Sequence, residues 1–486
     1  ADVSGGIPTY ELVGLPDAAV KEARERVKSA VKNSGLPYPG GRIIINLAPA
    51  DLKKEGSNYD LPIAAALLCA QNVISPESLK DTALIGELAL DGSLRAVKGV
   101  LPMAIDMYER GIKTVILPKQ NAAEASYVKG LNVIGAESLL QTVEHLNGTN
   151  VISPAEPQSF CAEENSELFE GDFSFIKGQE GAKRAVEIAV AGGHNILFIG
   201  PPGSGKSMIA KAIPSILPDL SFEEALEASK IHSIAGELKE GIITRRPFRS
   251  PHHTCSTVAL TGGTQGPGEI SLAHTGVLFL DELPEFKRDA LEAMRQPLED
   301  GRVTVSRASV KHTYPADFML VASMNPCPCG YFGDRSGKCR CTPYQIKNYL
   351  SRISGPFLNR IDVMWEVSRP KFSELRDKAP AESSEQIRKR VNAARDIQKK
   401  RYEGTGIFSN AQLSGALLEK YCKIDAEGEY ILKAAFNSMN LSARAYKRIL
   451  TVARTIADLA GEDNISAAHI GEAIQFRALD RKYWGD

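Results

Sequence analysis

The sequence contains no apolar run that approaches the roughly 20 residues needed to span a bilayer. Its N-terminus also lacks the charged and then apolar pattern of a secretory signal. Neither charge is in excess, because 58 Lys and Arg residues stand against 59 Asp and Glu residues. Any contact with nucleic acid must therefore come from a local basic patch. We expect a cytoplasmic chain with no membrane partner.

Cysteine is also scarce, with 8 residues in a chain of 486. Half of the cysteines crowd into one short stretch, which argues against a secreted disulfide framework and favours a metal site. The hydrophobic share of 43% and the charged share of 24% are those of an ordinary globular protein. The length allows about three domains.

Hydrophobic periodicity predicts an α/β fold. The middle of the chain has short buried-strand patterns separated by helical ones, as in a parallel sheet covered on both faces. A strand pattern begins soon after Ala1, so we expect the first domain to be truncated at its N-terminus. The expected boundaries are 1–146 for the N-terminal domain, 147–167 for a linker, 168–370 for the core with a Cys-rich loop at 326–342, and 371–486 for a helical domain.

Residues 200–207, Gly-Pro-Pro-Gly-Ser-Gly-Lys-Ser, lie between a strand pattern and a helical pattern. This order predicts a P-loop, whose backbone N–H groups surround phosphate oxygens at a helix N-terminus. Lys206 would reach the β- and γ-phosphates and Ser207 would ligate Mg²⁺. The expected ligands are therefore ATP and Mg²⁺. The predicted nucleotide contacts in this segment are Pro202, Gly203, Ser204, Gly205, Lys206, Ser207 and Met208.

A second apolar strand pattern, Val-Leu-Phe-Leu at 277–280, ends in Asp281 and Glu282. Downstream of a P-loop, Asp281 is expected beside the Mg²⁺ ion. Glu282 can then align a water against the γ-phosphate. Two carboxylates in this position favour hydrolysis over mere binding of the nucleotide.

Four longer stretches carry a resemblance to a known family. They are Val-Gly-Leu-Pro-Asp-Ala-Ala-Val-Lys-Glu-Ala at 13–23, Arg-Pro-Phe-Arg-Ser-Pro-His-His at 246–253, Gly-Glu-Ile-Ser-Leu-Ala-His at 268–274, and Ser-Gly-Pro-Phe-Leu-Asn-Arg-Ile-Asp at 354–362. With these motifs the chain resembles the ComM/YifB family in the magnesium-chelatase-like branch of the AAA+ ATPases. The resemblance implies an inactive Lon-protease-like N-terminal domain, an AAA+ P-loop αβα core and a C-terminal helical lid.

The same resemblance implies roles for residues outside the two phosphate motifs. Asn325 looks like the sensor of the γ-phosphate, Arg360 like an arginine finger for the neighbouring subunit, and Arg444 like a second sensor on the lid. The family usually has Asp where this chain has Asn359, and Arg352 is the alternative finger. The segment that resembles the adenine pocket supplies Ile176 and Gln179.

The clustered cysteines are Cys327, Cys329, Cys339 and Cys341. Four thiolates in one loop suit a tetrahedral structural Zn²⁺, although one residue between paired cysteines is an unusual spacing. A catalytic zinc is disfavoured, because four protein ligands leave no open position. The alternatives are a reduced loop without metal and a redox pair. A zinc-ordered loop would brace the neighbouring Asn325.

Residues from about 35 to 121 resemble the proteolytic domain of Lon, most clearly at 110–119. The resemblance places Asp60 where Lon has its serine and Leu101 where Lon has its lysine. Without a nucleophile and an amine that activates it, the domain cannot catalyse acyl transfer. Ser57 lies nearby as an alternative nucleophile, but a binding or ring-forming scaffold is the favoured role.

In a hairpin pattern at 302–312, valines alternate with polar residues and several basic residues supply positive charge. We predict that Arg307 and Lys311 hold DNA phosphates. A half-buried edge hairpin with a solvated basic face is the alternative. The resemblance also implies two inserts that line a central pore, and the glycine-rich segment 261–274 is the second candidate beside this hairpin. The adjacent His252 and His253 are assigned no catalytic role.

Three functions are consistent with these features. The first is a ring-forming, hexameric, ATP-driven motor on single-stranded or branched DNA, of the helicase or branch-migration type that serves natural transformation, as the resemblance implies. The second is a chelatase-type ATPase that remodels a protein partner, although the chain lacks the Asp-x-Ser-x-Ser signature of that machine's partner subunit. The third, a Lon-like ATP-dependent peptidase, is disfavoured by the missing dyad.

Overall fold

A computed structural model describes residues 1–161, 171–238, 241–263, 266–307, 310–334, 337–370, 381–439 and 441–484, without the side chains of 306, 307 and 310. The described chain forms two compact units. The first contains Ala1–Cys161 and Ala225–Thr244, and the second contains Ala162–Glu224 and Arg245–Asp486.

The first unit contains two three-stranded sheets, in the orders β1-β3-β2 and β4-β7-β8, and a short β5–β6 ladder. Its strands are β1 (Asp2–Ser4), β2 (Thr9–Val13), β3 (Arg42–Asn46), β4 (Thr82–Leu84), β5 (Glu87–Leu88), β6 (Leu94–Arg95), β7 (Thr114–Pro118) and β8 (Asn132–Ala136). Its helices include α1 (Ala18–Asn33), α2 (Asp60–Ala70), α3 (Val100–Glu109), α4 (Ala122–Ala125) and α5 (Leu139–Leu146). Helix α1 begins where the Asp17 carboxylate caps the N–H of Val20.

The second unit is built on a five-stranded sheet in the order β10-β11-β14-β9-β15, and every neighbouring pair is parallel. Its strands are β9 (Ile196–Ile199), β10 (Phe248–Arg249), β11 (Val277–Leu280), β14 (Met319–Met324) and β15 (Val363–Glu366), with a separate antiparallel hairpin of β12 (Arg302–Arg307) and β13 (Val310–Pro315). The three central strands are buried along their whole length, as a sheet covered on both faces requires. The predicted parallel α/β sheet is confirmed.

Helices alternate with the strands of this part of the chain. They are α6 (Glu180–Gly192), α7 (Lys206–Ala212), α8 (Phe222–Ala235), α9 (Thr257–Thr261), α10 (Glu269–Leu272), α11 (Arg288–Ala293), α12 (Pro297–Asp300), α13 (Pro343–Leu350) and α14 (Gly355–Leu358). The C-terminal region adds α15 (Ser384–Arg401), α16 (Gly415–Tyr421), α17 (Ala426–Ser438), α18 (Ala443–Ala460), α19 (Ala467–Gln475) and α20 (Ala478–Trp484).

The C-terminal helices share a hydrophobic core with the sheet. Ile449, Val452 and Ile456 of α18 are buried in the same cluster as Val186 of α6 and Ile196 of β9. The apolar face of α18, whose residues recur with the helical period of 3.6, therefore packs in the core that covers the sheet. In the described part of the chain, no helix combines the length and the apolar character that crossing a bilayer requires.

Helix α8 begins in the second unit, but most of its length belongs to the first unit. From Ala225 onward it groups with the first unit, where the backbone carbonyl of Ser233 accepts from the N–H of Gly99 at 2.9 Å. Its Ser233 hydroxyl donates to Glu124 at 2.6 Å. A segment that the hydrophobic pattern assigns to the core thus belongs to the compact N-terminal unit.

Candidate nucleotide-binding site

The candidate site lies where β9 ends and α7 begins. Gly205 precedes the helix with a φ of 95°, a left-handed conformation that favours glycine and aims the next N–H groups into the loop. The hydroxyl of Ser204 is buried and has no hydrogen-bond partner among the described residues. A loop that presents unpaired donors at a helix N-terminus suits a phosphate group.

The ammonium of Lys206 is buried at the centre of this loop. It donates to the carbonyl oxygens of Gly200 at 2.7 Å and Pro201 at 3.0 Å, and to the side-chain oxygen of Asn325 at 3.2 Å. Burial lowers the pKa of Lys206 to about 8, while the carboxylates of Asp281 and Glu282 act in the opposite direction. The lysine stays protonated at neutral pH and lies beside the proposed sensor.

Oxygen donors suited to Mg²⁺ meet at the same point. The hydroxyl of Ser207 donates to Asp281 Oδ2 at 2.8 Å, and the hydroxyl of Ser323 donates to Asp281 Oδ1. A hydroxyl and a carboxylate are hard oxygen ligands of the kind Mg²⁺ uses beside phosphates. The residues present therefore fit the ion that the motif predicts.

Glu282 follows Asp281 in a left-handed conformation, with φ 55°. Its N–H donates to Asp281 Oδ1 at 3.1 Å, and its carbonyl accepts from the N–H of Glu285 at 2.8 Å. A positive φ in a non-glycine residue is a strained conformation that the surroundings must hold. The two carboxylates at the strand end thus have different surroundings, because Asp281 is bonded to Ser207 inside the site and the Glu282 side chain is 56% exposed.

Of the predicted adenine-pocket residues, Gln179 lies beside the loop. Gln179 donates to the carbonyl oxygens of Ser368 at 2.6 Å and Ser204 at 3.5 Å. Ile176 is buried, whereas Met208 on the first turn of α7 is half exposed. Gln179 therefore joins the predicted base pocket to the phosphate loop.

The two predicted arginines are not brought to the P-loop. The Arg360 guanidinium donates to the carbonyl oxygens of Arg295 at 3.0 Å and Pro356 at 2.7 Å, and it pairs with Glu299. Arg444 lies on the exposed first turn of α18. Neither arginine completes the site from within the chain.

Sequence reasoning missed how the 246–253 motif is held. Arg246 donates to the carbonyl oxygens of Pro218 at 2.7 Å and Thr275 at 2.6 Å. Arg249 forms a bidentate pair with Glu269, at 2.7 and 2.9 Å. Arg249 and Glu269 are 20 residues apart and belong to two different motifs, 246–253 and 268–274. Only the resemblance to a family indicated that these two motifs act together.

The four clustered cysteines converge as predicted, with sulfur atoms that all lie within 4.8 Å of one another. The N–H of Phe332 donates to the Cys327 sulfur at 3.3 Å. Burial raises the pKa of the Cys329 thiol, but the N–H groups of Arg340 and Tyr331 outweigh it and lower the pKa to about 6. Four sulfurs with backbone donors are compatible with a structural zinc.

The cysteine loop packs directly on the P-loop. A Cβ at Gly330 would lie only 2.6 Å from Cδ of Pro202, so the proline ring packs against the Gly330 backbone where a larger residue would clash. Arg369 donates to the carbonyl of Pro202 at 3.3 Å and to the hydroxyl of Tyr331 at 3.4 Å. Its guanidinium also covers the Tyr331 ring at 5.3 Å.

The predicted DNA hairpin forms in the register Ser306 opposite Lys311 and Val305 opposite His312. Lys311 is exposed on β13, whereas the side chain of Arg307 lies outside the described residues. His312 stacks on Tyr314, with ring centroids 6.2 Å apart. Because side chains alternate along a strand, Lys311 lies on one face of β13 and the His312–Tyr314 stack on the other.

In the first unit, the positions aligned with the Lon dyad have other partners. Asp60 is fully buried and accepts from Arg26 at 2.7 and 3.0 Å and from the N–H of Leu88 at 3.2 Å. The buried Leu101 uses its N–H to bond Glu124 at 3.3 Å. An ion-paired aspartate and an apolar leucine supply neither nucleophile nor base.

Family profiles match three parts of the chain. They are described as magnesium chelatase, subunit ChlI, over residues 172–375; subunit ChlI of Mg-chelatase over 1–121; and the ChlI C-terminal region over 381–477. Together with the P-loop on a parallel sheet, these matches define a magnesium-chelatase-like AAA+ ATPase.

Relatives give a finer placement. YifB of Escherichia coli is 46% identical over 483 residues, which cover 99% of this chain and 93% of YifB. Competence protein ComM of Haemophilus influenzae is 45% identical over 487 residues, which cover 99% of this chain and 94% of ComM. The magnesium-chelatase subunit ChlI of Guillardia theta is 28% identical over 183 residues, 32% of this chain and 51% of ChlI. The chain belongs to the ComM/YifB family.

Proposed function

We propose that the chain hydrolyses ATP at the P-loop, and that a ring of its copies uses the energy to move along DNA. The observation that supports this proposal is a pair of adjacent hydrogen bonds, from Lys206 to Asn325 and from Ser207 to Asp281. A cation, two oxygen ligands and a polar sensor are the groups that phosphoryl transfer uses.

In this proposal Lys206 exchanges its carbonyl partners for the β- and γ-phosphate oxygens, and Asn325 orients the attacking water or the γ-phosphate. Mg²⁺, held by Ser207 and Asp281, would neutralise charge on the phosphates. Glu282 accepts a proton from the water as it attacks. The exposed position of its carboxylate suits a group that must meet solvent.

The proposal places each ATP between two subunits of a hexamer. Arg360 would supply its guanidinium to the neighbouring copy, and Arg444 would act from the C-terminal helices as a lid. In the single chain the Arg360 side chain is 12% exposed and Glu299 holds it. Assembly must therefore exchange this partner for the neighbour's phosphate. Arg352, 52% exposed and paired with Glu285 at 3.0 Å, is the alternative finger.

Replacing Arg360 with alanine should lower ATP turnover by about 10³-fold, the lower end of the range for an arginine finger. Nucleotide binding to the subunit's own P-loop should change little, because the arginine acts on the neighbour. Arg352→Ala is the matched control. A loss that follows Arg352 instead would transfer the role to that residue.

The proposed DNA contact is the β12–β13 hairpin, whose exposed Lys311 can bind phosphate. Replacing Arg307 and Lys311 together with glutamine should weaken binding to single-stranded DNA. Each lost phosphate contact should reduce the slope of log affinity against log salt by about 0.7. The measurement is fluorescence anisotropy at several salt concentrations.

Lys399 and Lys400, both exposed near the end of α15, provide a control with the same change in charge. If the hairpin variant and this control retain equal affinity and equal salt slopes, the hairpin does not bind DNA. A loss in both variants would indicate general electrostatic attraction.

Strand displacement on a forked DNA substrate tests the motor itself. The wild type should separate the strands with ATP, and Lys206→Ala and Glu282→Gln should not. The branch-migration assignment also predicts movement of a four-way junction. No displacement on forks, tails or junctions by an active ATPase would rule out a DNA motor.

A second candidate, a chelatase-type ATPase that remodels a protein partner, is favoured by the matches to ChlI profiles. ATPase stimulation by DNA would support the motor, and stimulation by protein alone would support the remodeller.

We propose that the N-terminal unit is an inactive Lon-like scaffold, for which the buried Asp60–Arg26 pair is the support. ATP-dependent casein cleavage would overturn that assignment.

A further inference from the structure

The carboxylate of Glu282 needs an external constraint. Its backbone is held at φ 55° by hydrogen bonds on either side. Its side chain, however, is 56% exposed. A glutamate on an exposed strand end samples several rotamers. A base that must meet one water in one direction loses rate whenever it leaves that rotamer.

His253 supplies a group that faces this carboxylate, with Nδ1 3.5 Å from Oε2 of Glu282. The imidazole itself is constrained, because its side chain is 30% exposed and its ring meets the edge of Phe286 at 6.4 Å. On the other side it lies against His252, with ring centroids 4.1 Å apart.

The backbone that carries His253 is anchored a few residues earlier. The bidentate Arg249–Glu269 pair ties the end of β10 to α10. The N–H of Cys255 then donates to the carbonyl of His252 at 2.9 Å and closes a turn around the two histidines. The position of the His253 ring is therefore set by groups other than Glu282.

We propose that His253 is a positioning residue for ATP hydrolysis, which holds the Glu282 carboxylate in the direction of the attacking water. The inference rests on the proposed ATPase function. A hydrogen bond from Nδ1 to Oε2, atoms that lie 3.5 Å apart, would favour one side-chain rotamer and leave the other oxygen for the water. His253 acts through Glu282 and does not touch the nucleotide.

The chain contains a matched control in the neighbouring histidine. His252 has the same side chain and shares the ring stack, but its Nδ1 bonds the hydroxyl of Thr254 at 2.9 Å. Loss of His252 removes a similar volume from the same turn and leaves the Glu282 contact in place.

The experiment compares steady-state ATP hydrolysis by the full chain with His253→Ala, His252→Ala and His253→Asn. We expect kcat of His253→Ala to fall about tenfold with KM changed less than about twofold, since orientation and not binding is lost. His252→Ala, which removes one ring beside His253 but leaves the Glu282 contact in place, should lose much less of the rate than His253→Ala. His253→Asn, whose amide can donate from about the position of Nδ1, should recover most of the rate.

A double-mutant cycle identifies the route of the effect. In the Glu282→Gln background, His253→Ala should cause no further fall in kcat, because the group that it positions is already lost. Unchanged melting temperatures across the set show that the fold is retained.

The outcomes separate the inference from the function on which it rests. If the wild type does not hydrolyse ATP, the proposed function fails and the inference fails with it. If the wild type is active and Glu282→Gln is not, but His253→Ala equals His252→Ala, only the inference is wrong. An equal loss from His253→Ala in both Glu282 backgrounds would also overturn it.

Discussion

Replacing Lys206 with alanine will lower the rate of ATP hydrolysis by about 10²- to 10³-fold, the usual cost of removing a preorganised group that stabilises transition-state charge. The ammonium is buried among two carbonyl oxygens and Asn325, in a setting where a charge acts strongly. Alanine leaves the phosphates without this cation. The measurement is phosphate release at saturating Mg²⁺ and ATP, together with nucleotide affinity by titration.

Lys211 gives the control for this experiment. It lies on the same helix, α7, is exposed, and should tolerate alanine without loss of rate. Glu282→Gln should separate the two halves of the site, because it retains nucleotide binding and lowers turnover by about 10²-fold or more. A Lys206→Ala protein that hydrolyses ATP at the wild-type rate would show that the P-loop is not the active site.

Replacing Cys339 and Cys341 with serine should remove the metal that we propose at the cysteine cluster. We propose Zn²⁺ at the four sulfurs, since soft donors with a closed tetrahedral set favour it. Two thiolates cannot retain a structural zinc, whose binding contributes about 10 to 16 kcal/mol in small zinc domains. Zinc content by atomic emission should fall from about one ion per chain to near zero.

The metal loss should also reach the nucleotide site. Gly330 of the cysteine loop packs on Pro202, and Arg369 bridges Pro202 and Tyr331. When the loop loosens, Pro202 and Asn325 lose support, and displacements of about 1 Å can cost up to about 10²-fold in rate. We therefore expect at least a tenfold fall in ATPase rate, about the effect of a partial displacement.

Cys69→Ser with Cys161→Ser changes two thiols outside the cluster and should alter neither zinc content nor rate. Equal zinc content in the wild type and the Cys339/Cys341 variant would reject the metal site. Loss of zinc with a full ATPase rate would keep the metal and reject its connection to the P-loop.

The phosphate motifs could be read from the sequence because each is contiguous. A strand, a loop and a helix in the order of residues 196–212 leave few alternative conformations, and the structure brings Ser207 and Asp281 together where parallel strands end. The cysteine cluster was equally easy to predict from the sequence, since all four sulfurs come from one loop.

Other features depend on contacts between distant segments. The Arg249–Glu269 pair and the Arg369–Tyr331 contact join charged or polar residues whose local patterns resemble those of any surface loop. The grouping of Ala225–Thr244 with the N-terminal unit was also hidden, because helix α8 runs without a break through Ala225. Tertiary packing, not local preference, decides these features.

Mixing two inactive variants tests the shared ATP site most directly. Lys206→Ala subunits keep a normal Arg360, and Arg360→Ala subunits keep a normal P-loop, so a mixed ring contains interfaces in which both groups are intact. Combining the two proteins under assembly conditions should restore ATP hydrolysis that neither variant shows alone. A mixture with no more activity than the sum of its components would contradict an active site built from two subunits.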